Sequence, residues 1–230
     1  YKGNVPKNID AVYDIVSYKD KIIFPLYYKN EIFSYSPSEG FQRLPIKNSG
    51  CHSLNIFNDK LFASCFRAHS IIGYSLDDFS EIKTYFFKGQ FPIASLILEN
   101  KLFFIDFINS SFISIDNNCL IKSSDFSFIL KDLKFPHSLK QNQRLISISF
   151  RNPSNIILLK DLKFLKLIKL GNKYDVMSAY PLSEKKIIFS CINSGIYLLD
   201  IKTDKISLIS NKIRNATSQV FLGNKLYISS

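Results

Sequence analysis

Apolar and polar positions along this chain fall into short segments of strand length, and the stretch from Asn100 to Asp116, NKLFFIDFINSSFISID, shows the pattern most clearly as two strands joined by a polar turn. Relatives of its opening recur as DKIIF at Asp20, DKLFA at Asp59, QRLIS at Gln143, KKIIF at Lys185 and NKLYI at Asn224. Their basic residues, Lys21, Lys60, Lys101, Arg144, Lys186 and Lys225, lie 39, 41, 43, 42 and 39 positions apart. Six copies held in register mark an internal repeat.

Each basic signature, called strand B, follows a segment in which a small residue sits among apolar ones: Ala11, Ser53, Ser95, Ser138, Ser178 and Ser218. These segments read as strand A. The pairs Lys19-Asp20, Asn58-Asp59, Glu99-Asn100 and Gly223-Asn224 suit two-residue hairpin turns between A and B. A polar loop and a third strand follow, such as EIFSYS from Glu31 or GIYLLD from Gly195, and then a fourth, such as EIKTYFF from Glu81 or KISLIS from Lys205. The β-branched and aromatic content suits half-buried ribbons. Only Ser124 to Lys134 is ambiguous between helix and strand.

Four antiparallel strands repeated at this period predict an all-β fold, a β-propeller of four-stranded antiparallel blades in a single domain over residues 1–230. Innermost strands converge on an axis, which explains the small residue on strand A. Five complete blades plus strands A and B of a sixth can be counted, with six blades favoured and seven the alternative. The chain opens on Tyr1 and stops as the sixth strand B ends, so it reads as a piece of something longer, with strands missing at one or both ends. A small-residue strand A, a turn, [DN]-K-[LI]-[FY], a loop and a strand such as FISID or IYLLD resemble the blades of the NHL, YVTN and SMP-30-like propeller group. The chain has no Trp and hence no WD signature. Members of that group include enzymes, nucleic-acid binders and interaction modules, so the resemblance implies a fold and leaves function open.

The net charge of +11, from 30 basic and 19 acidic residues, favours anionic partners. Most of the excess is lysine, whereas base-reading and bidentate phosphate sites tend to use arginine, so nucleic acid is possible and not favoured. Abundant Lys, Asn, Ile and Phe also match the bias of an AT-rich genome. No apolar run approaches the roughly 18 to 20 residues that span a bilayer, so no transmembrane segment is expected. Cys51, Cys65, Cys119 and Cys191 include no close-set pair such as CxxC, which points to reduced thiols and leans towards the cytoplasm.

Loops from D to A and from B to C should share one face of the ring, the usual binding face. Asp10, His52 and His137 precede the small residue of strand A there, and Asp106 ends a strand B. Together they form a candidate channel-mouth site able to act as acid and base, or to satisfy turns at strand ends. Lys29, Arg67 and Arg151 are candidate anion-binding residues. Tyr27 and Tyr28 beside Lys29 suit either stacking on a ligand or packing between blades. The repeated basic residues should ring the opposite face, as edge-protecting cations or a surface for a polyanion. Cys51, His52, Cys65 and His69 invite a zinc assignment, but strict alternation sends Cys51 to the other side of the ribbon from Cys65, so no metal and no cofactor are expected. No GxSxG, HExxH or Gly-rich phosphate loop occurs. The reading is a non-catalytic module that binds a protein or ligand. The alternatives are a lactonase, lyase or glycan-processing enzyme, and a binder of nucleic acid or another polyanion.

Overall fold

A computed structural model of the chain describes residues 11–46, 50–115, 121–123, 133–213 and 215–229. Asp10, Cys119 and residues 124–132 of the ambiguous stretch lie outside them. Five antiparallel four-stranded sheets and one two-stranded sheet follow one another. Blade 1 comprises β1 (Val16–Tyr18), β2 (Lys21–Leu26), β3 (Glu31–Ser36) and β4 (Gly40–Arg43). Blade 2 comprises β5 (Cys51–Phe57), β6 (Lys60–Cys65), β7 (Ser70–Ser75) and β8 (Glu81–Phe86). Blade 3 comprises β9 (Pro92–Leu98), β10 (Lys101–Asp106), β11 (Ser111–Ile115) and β12 (Ile121–Ser123). Blade 4 comprises β13 (Pro136–Asn142), β14 (Leu145–Phe150), β15 (Ser154–Lys160) and β16 (Lys163–Gly171). Blade 5 comprises β17 (Val176–Ser183), β18 (Lys186–Cys191), β19 (Gly195–Asp200) and β20 (Lys205–Ser210), and the partial blade 6 comprises β21 (Ser218–Leu222) and β22 (Lys225–Ser229). Among the described residues the helical element is a single 3-10 turn, Phe66–Ala68, and no helix is long and apolar enough to cross a membrane.

The A-to-B hairpins form because their turn residues tolerate a left-handed backbone: Asn58 and Asp59 have φ of 47° and 53°, and Glu99 and Asn100 have 51° and 61°. One detail departs from the expected register. Asn142 pairs with Leu145, so Arg144 occupies the turn of blade 4 and bonds Asp161 instead of opening strand B. The shift by one also aligns Phe150 with Asp106 of blade 3.

Apolar side chains from facing blades fill the spaces between them. Phe62 and Ile71 meet Ile97, Leu102 and Phe104 across blades 2 and 3, and Ile156 and Leu158 meet Val176, Ile187 and Phe189 across blades 4 and 5. Phe104 and Phe189 are fully buried, and burial of such a side chain stabilises by about 1.5 to 3 kcal/mol. Val220 of β21 joins Val12, Ile15 and Phe24 of blade 1, which brings the sixth blade back onto the first.

The innermost strands place one residue per blade on the axis, and in blade 1 that residue is an aspartate. Tyr27 N–H bonds Ala11 O just as Phe107 bonds Phe91 and Arg151 bonds Phe135. Counting inward from these acceptors puts Asp14, Ala94 and Ser138 in equivalent places, so Asp14 and Ala94, not Ala11 and Ser95, hold the small-residue position. Asp14 Oδ1 accepts from Lys140 Nζ, from Ser218 Oγ at 2.9 Å and from Ile15 N–H at 2.8 Å. Its Oδ2 accepts from Ser53 Oγ at 2.6 Å and Leu54 N–H at 3.0 Å. One buried carboxylate thus ties blades 1, 2, 4 and 6.

Strand A carries a second recurrent feature, a β-bulge one residue before that position. Cys51 pairs with Cys65 and Ser53 with Ser64, which leaves His52 as the extra residue. The same step isolates Ile93, His137 and Met177 in blades 3, 4 and 5. A bulge bends its strand and re-aims the inserted side chain. It also breaks the alternation that would have separated Cys51 from Cys65, and these two form a disulfide. The expectation of reduced thiols is therefore corrected for this pair, and Cys191 is free and buried.

Gly195 opens β19 at φ +107°, where an added Cβ would lie 2.1 Å from the Ser210 carbonyl oxygen. Gly195→Ala should destabilise by at least about 1 to 3 kcal/mol, and a thermal melt superimposing on the wild type would contradict that close approach.

Candidate ligand-binding site at the channel mouth

The D-to-A and B-to-C loops enclose a cavity of about 710 Å³ at one end of the channel. The bulges set its floor, since they turn His52 and His137 inward with ring centroids 5.1 Å apart. Tyr13 stacks on His52 at 4.6 Å and meets Tyr27 edge-on at 5.4 Å. Phe66, Phe107 and Phe135 extend this aromatic wall across blades 2 to 4. The lining from blades 4 and 5 is mostly polar, with Arg151, Asn152, Ser154, Asn172 and Asp175 beside Tyr174.

Two guanidinium groups differ in how they are held. Arg151 donates through Nε and Nη2 to the two carboxylate oxygens of Asp175, each at 2.7 Å, a fork that fixes its plane. Arg67 is exposed on the 3-10 turn, with Cζ 4.7 Å from the Tyr27 ring centroid and 5.4 Å from that of Tyr28. Among the described residues no carboxylate pairs with it. Its stem crosses Gly50, where an added Cβ would stand 2.8 Å from Arg67 Cδ. Gly50 keeps its own place by donating N–H to Asn30 Oδ1 at 2.6 Å.

Burial holds the His52 imidazole well below its ordinary value, and repulsion from His137 adds to the effect. His137 is pushed down to about 4 by burial and then by Arg151, against the pull of the Met177 carbonyl. Both rings are neutral at pH 7. His137 Nδ1 lies 3.0 Å from Met177 O, and because a carbonyl only accepts, that nitrogen carries the proton and Nε2 is the acceptor. Burial also pushes the Tyr13 hydroxyl up to about 12.

The structure therefore brings His52, His137, Arg67 and Arg151 to one cavity. Asp106 is elsewhere: fully buried, it accepts from Phe91 N–H at 3.2 Å, Ile108 N–H at 3.1 Å and Asn109 Nδ2 at 2.6 Å, and so caps its own turn. Lys29 is not part of the lining, and Asp10 lies outside the described residues. The four-residue zinc set does not converge, since the two sulfurs bond each other and His69 Nδ1 faces Gln90 O at 2.9 Å. Tyr13 and Asp175 escaped the sequence reading. Tyr13 was hidden by aligning blade 1 on Ala11, although Asp14 precedes Lys21 by the same seven residues that separate Ser53 from Lys60. Asp175 lies in a D-to-A loop, where no repeat signal exists.

No protein-family model and no curated protein sequence matches the chain. Solved structures do. A streptogramin B lyase superimposes with a TM-score of 0.72 at 15% identity, covering 98% of this chain and 78% of that one. Virginiamycin B lyase from Staphylococcus aureus gives 0.70 at 14%, covering 98% and 80%. The chain shares the β-propeller fold of these proteins. A propeller in a nidogen/laminin complex is also similar, with a TM-score of 0.67 at 10% identity over 86% of this chain and 79% of that one. At these identities the likeness is one of fold.

Proposed function

We infer that this propeller is a non-catalytic binding module whose loop face takes an anionic group of a ligand or partner protein into the channel-mouth cavity. The observation that carries this reading is Arg67, an exposed guanidinium in cation–π contact with two tyrosines and without a carboxylate partner among the described residues. A guanidinium held against two aromatic rings is partly pre-organised for a carboxylate or phosphate, and the aromatic wall gives the attached group a surface to pack on. Asp175, the sole carboxylate of the lining among the described residues, is engaged by Arg151, and His137 is oriented by a backbone carbonyl instead of a carboxylate. Such an arrangement favours recognition over paired acid–base work. The nidogen/laminin propeller, seen in a protein complex, is consistent with this use of the fold.

Titration with benzoate, as a minimal flat anion, checks the reading. Arg67→Ala should weaken binding by roughly tenfold or more, in line with the loss of a charge-assisted hydrogen bond, and the benzoate should be recovered unchanged. Equal affinity in wild type and variant would remove Arg67 from the account.

A second reading is favoured by the neutral His137 at the cavity floor, which is in the form needed to take a proton, and by the lyase folds that resemble this one. It makes the chain a lyase or lactonase. Turnover of a lactone and ester library that disappears in both His52→Ala and His137→Ala would establish it. Turnover that survives both changes would dismiss those residues.

A further inference from the structure

The geometry points to a ligand of two-ended polarity: a carboxylate that also carries a hydroxyl or N–H donor, with the carboxylate on Arg67 at the rim and the donor on His137 Nε2 at the floor. This inference rests on the binding reading above and narrows its ligand. Rim and floor make opposite demands. Arg67 offers a positive charge with no carboxylate partner among the described residues, so the outer end of the ligand is negative. At the floor, His137 is only 7% exposed and commits its one N–H to Met177 O, which leaves a lone pair on Nε2. A lone pair repels a carboxylate oxygen and accepts from a hydroxyl or N–H.

His52 reinforces this polarity. It is 6% exposed, and its buried Nδ1 has no hydrogen-bond partner among the described residues. That Nδ1 is enclosed by the protein, so the acceptor offered to the cavity is His137 Nε2, with the uncharged His52 ring beside it adding no competing charge. A ligand lacking a donor would bury that acceptor unpaired, and such a mismatch is how polar sites reject analogues. Between rim and floor stand Tyr27 and Tyr13, whose rings suit either an aromatic face or the C–H face of a sugar. Two sources share the required chemistry, a hydroxylated aromatic acid and a sugar acid.

Isothermal titration of the whole chain with benzoate, 4-hydroxybenzoate and glucuronate tests the inference. Wild type should bind 4-hydroxybenzoate or glucuronate roughly two- to tenfold more tightly than benzoate, the effect of one neutral hydrogen bond, and the tighter of the two names the source. In His137→Phe, which keeps a ring and removes the acceptor, this preference should fall towards unity. Wild-type benzoate binding equal to or tighter than both hydroxylated acids would overturn the inference while leaving the binding reading intact. This comparison stands even if the variant fails to fold. Binding of none of the three would overturn both, and a preference that persists in a folded His137→Phe would overturn the role of Nε2.

Discussion

Replacing Asp14 with alanine is expected to lower the unfolding free energy by about 3 to 5 kcal/mol, the range found when one partner of a buried ion pair is removed. The physical cause is a stranded charge. The side chains of Asp14 and Lys140 are 6% and 9% exposed, and with the carboxylate gone the ammonium retains, among the described residues, only the Ile15 carbonyl, at 3.2 Å. Four other donors, the hydroxyls of Ser53 and Ser218 and the N–H groups of Ile15 and Leu54, lose the same acceptor. Because these groups come from separate blades, the damage should reach the closure of the ring. Asp14→Ala/Lys140→Leu removes both charges and should regain a large part of the loss, since a buried pair exchanged for apolar residues is often close to neutral. Denaturant melts of wild type, both single variants and the double variant would measure the coupling. A single variant within about 1 kcal/mol of the wild type would show that the axial carboxylate does not hold the blades together.

Acidification should destabilise the protein between pH 6.5 and about 4 through the two floor histidines. The folded-state value of His137 lies below its ordinary 6.5, at about 4. Above pH 6.5 folded and unfolded chains are both neutral at this site and the shift has no effect. Below it the unfolded chain takes up a proton that the folded chain refuses, so stability falls with falling pH and levels off once His137 itself titrates near 4. The loss is on the order of 3 kcal/mol for His137, and His52, shifted in the same direction, adds to it. Urea melts at pH 7.5 and 4.5 on wild type and on His52→Gln/His137→Gln check the assignment. The double variant should lose distinctly less across that interval, whereas parallel losses would place the effect on other groups.

Much of this fold was legible because a propeller writes its blade into the sequence many times. The lysine signature gave the period, and turn pairs such as Asn58-Asp59 gave the hairpins, since only residues that tolerate positive φ fit there. Where sequence pattern and structure differ, an inserted residue or an odd blade interrupts the repeat. The bulge at His52 is invisible to alternation, so Cys51 was sent to the wrong side of the ribbon and its disulfide with Cys65 was missed. In blade 1 an aspartate stands where most other blades carry serine, and a rule seeking a small residue passed over Asp14 for Ala11. For the candidate site, the repeat located His52, His137, Arg67 and Arg151 on one face because strand ends are periodic. It misled at Asp106, where position was right but the carboxylate bends back onto its own turn. Loop residues such as Asp175 obey no period and emerge only from the folded chain.

The central claim, that the loop face and not the turn face receives an anionic ligand, is open to one direct measurement. Backbone and side-chain NMR shifts recorded during a benzoate titration should move for Tyr13, Tyr27, Arg67, His137 and Arg151 around the cavity. The exposed lysines of the opposite face, Lys60, Lys101, Lys186 and Lys225, should stay still. Shifts confined to those lysines, or spread evenly over the basic surface and abolished by modest salt, would contradict the account and leave a diffuse polyanion-binding surface in its place.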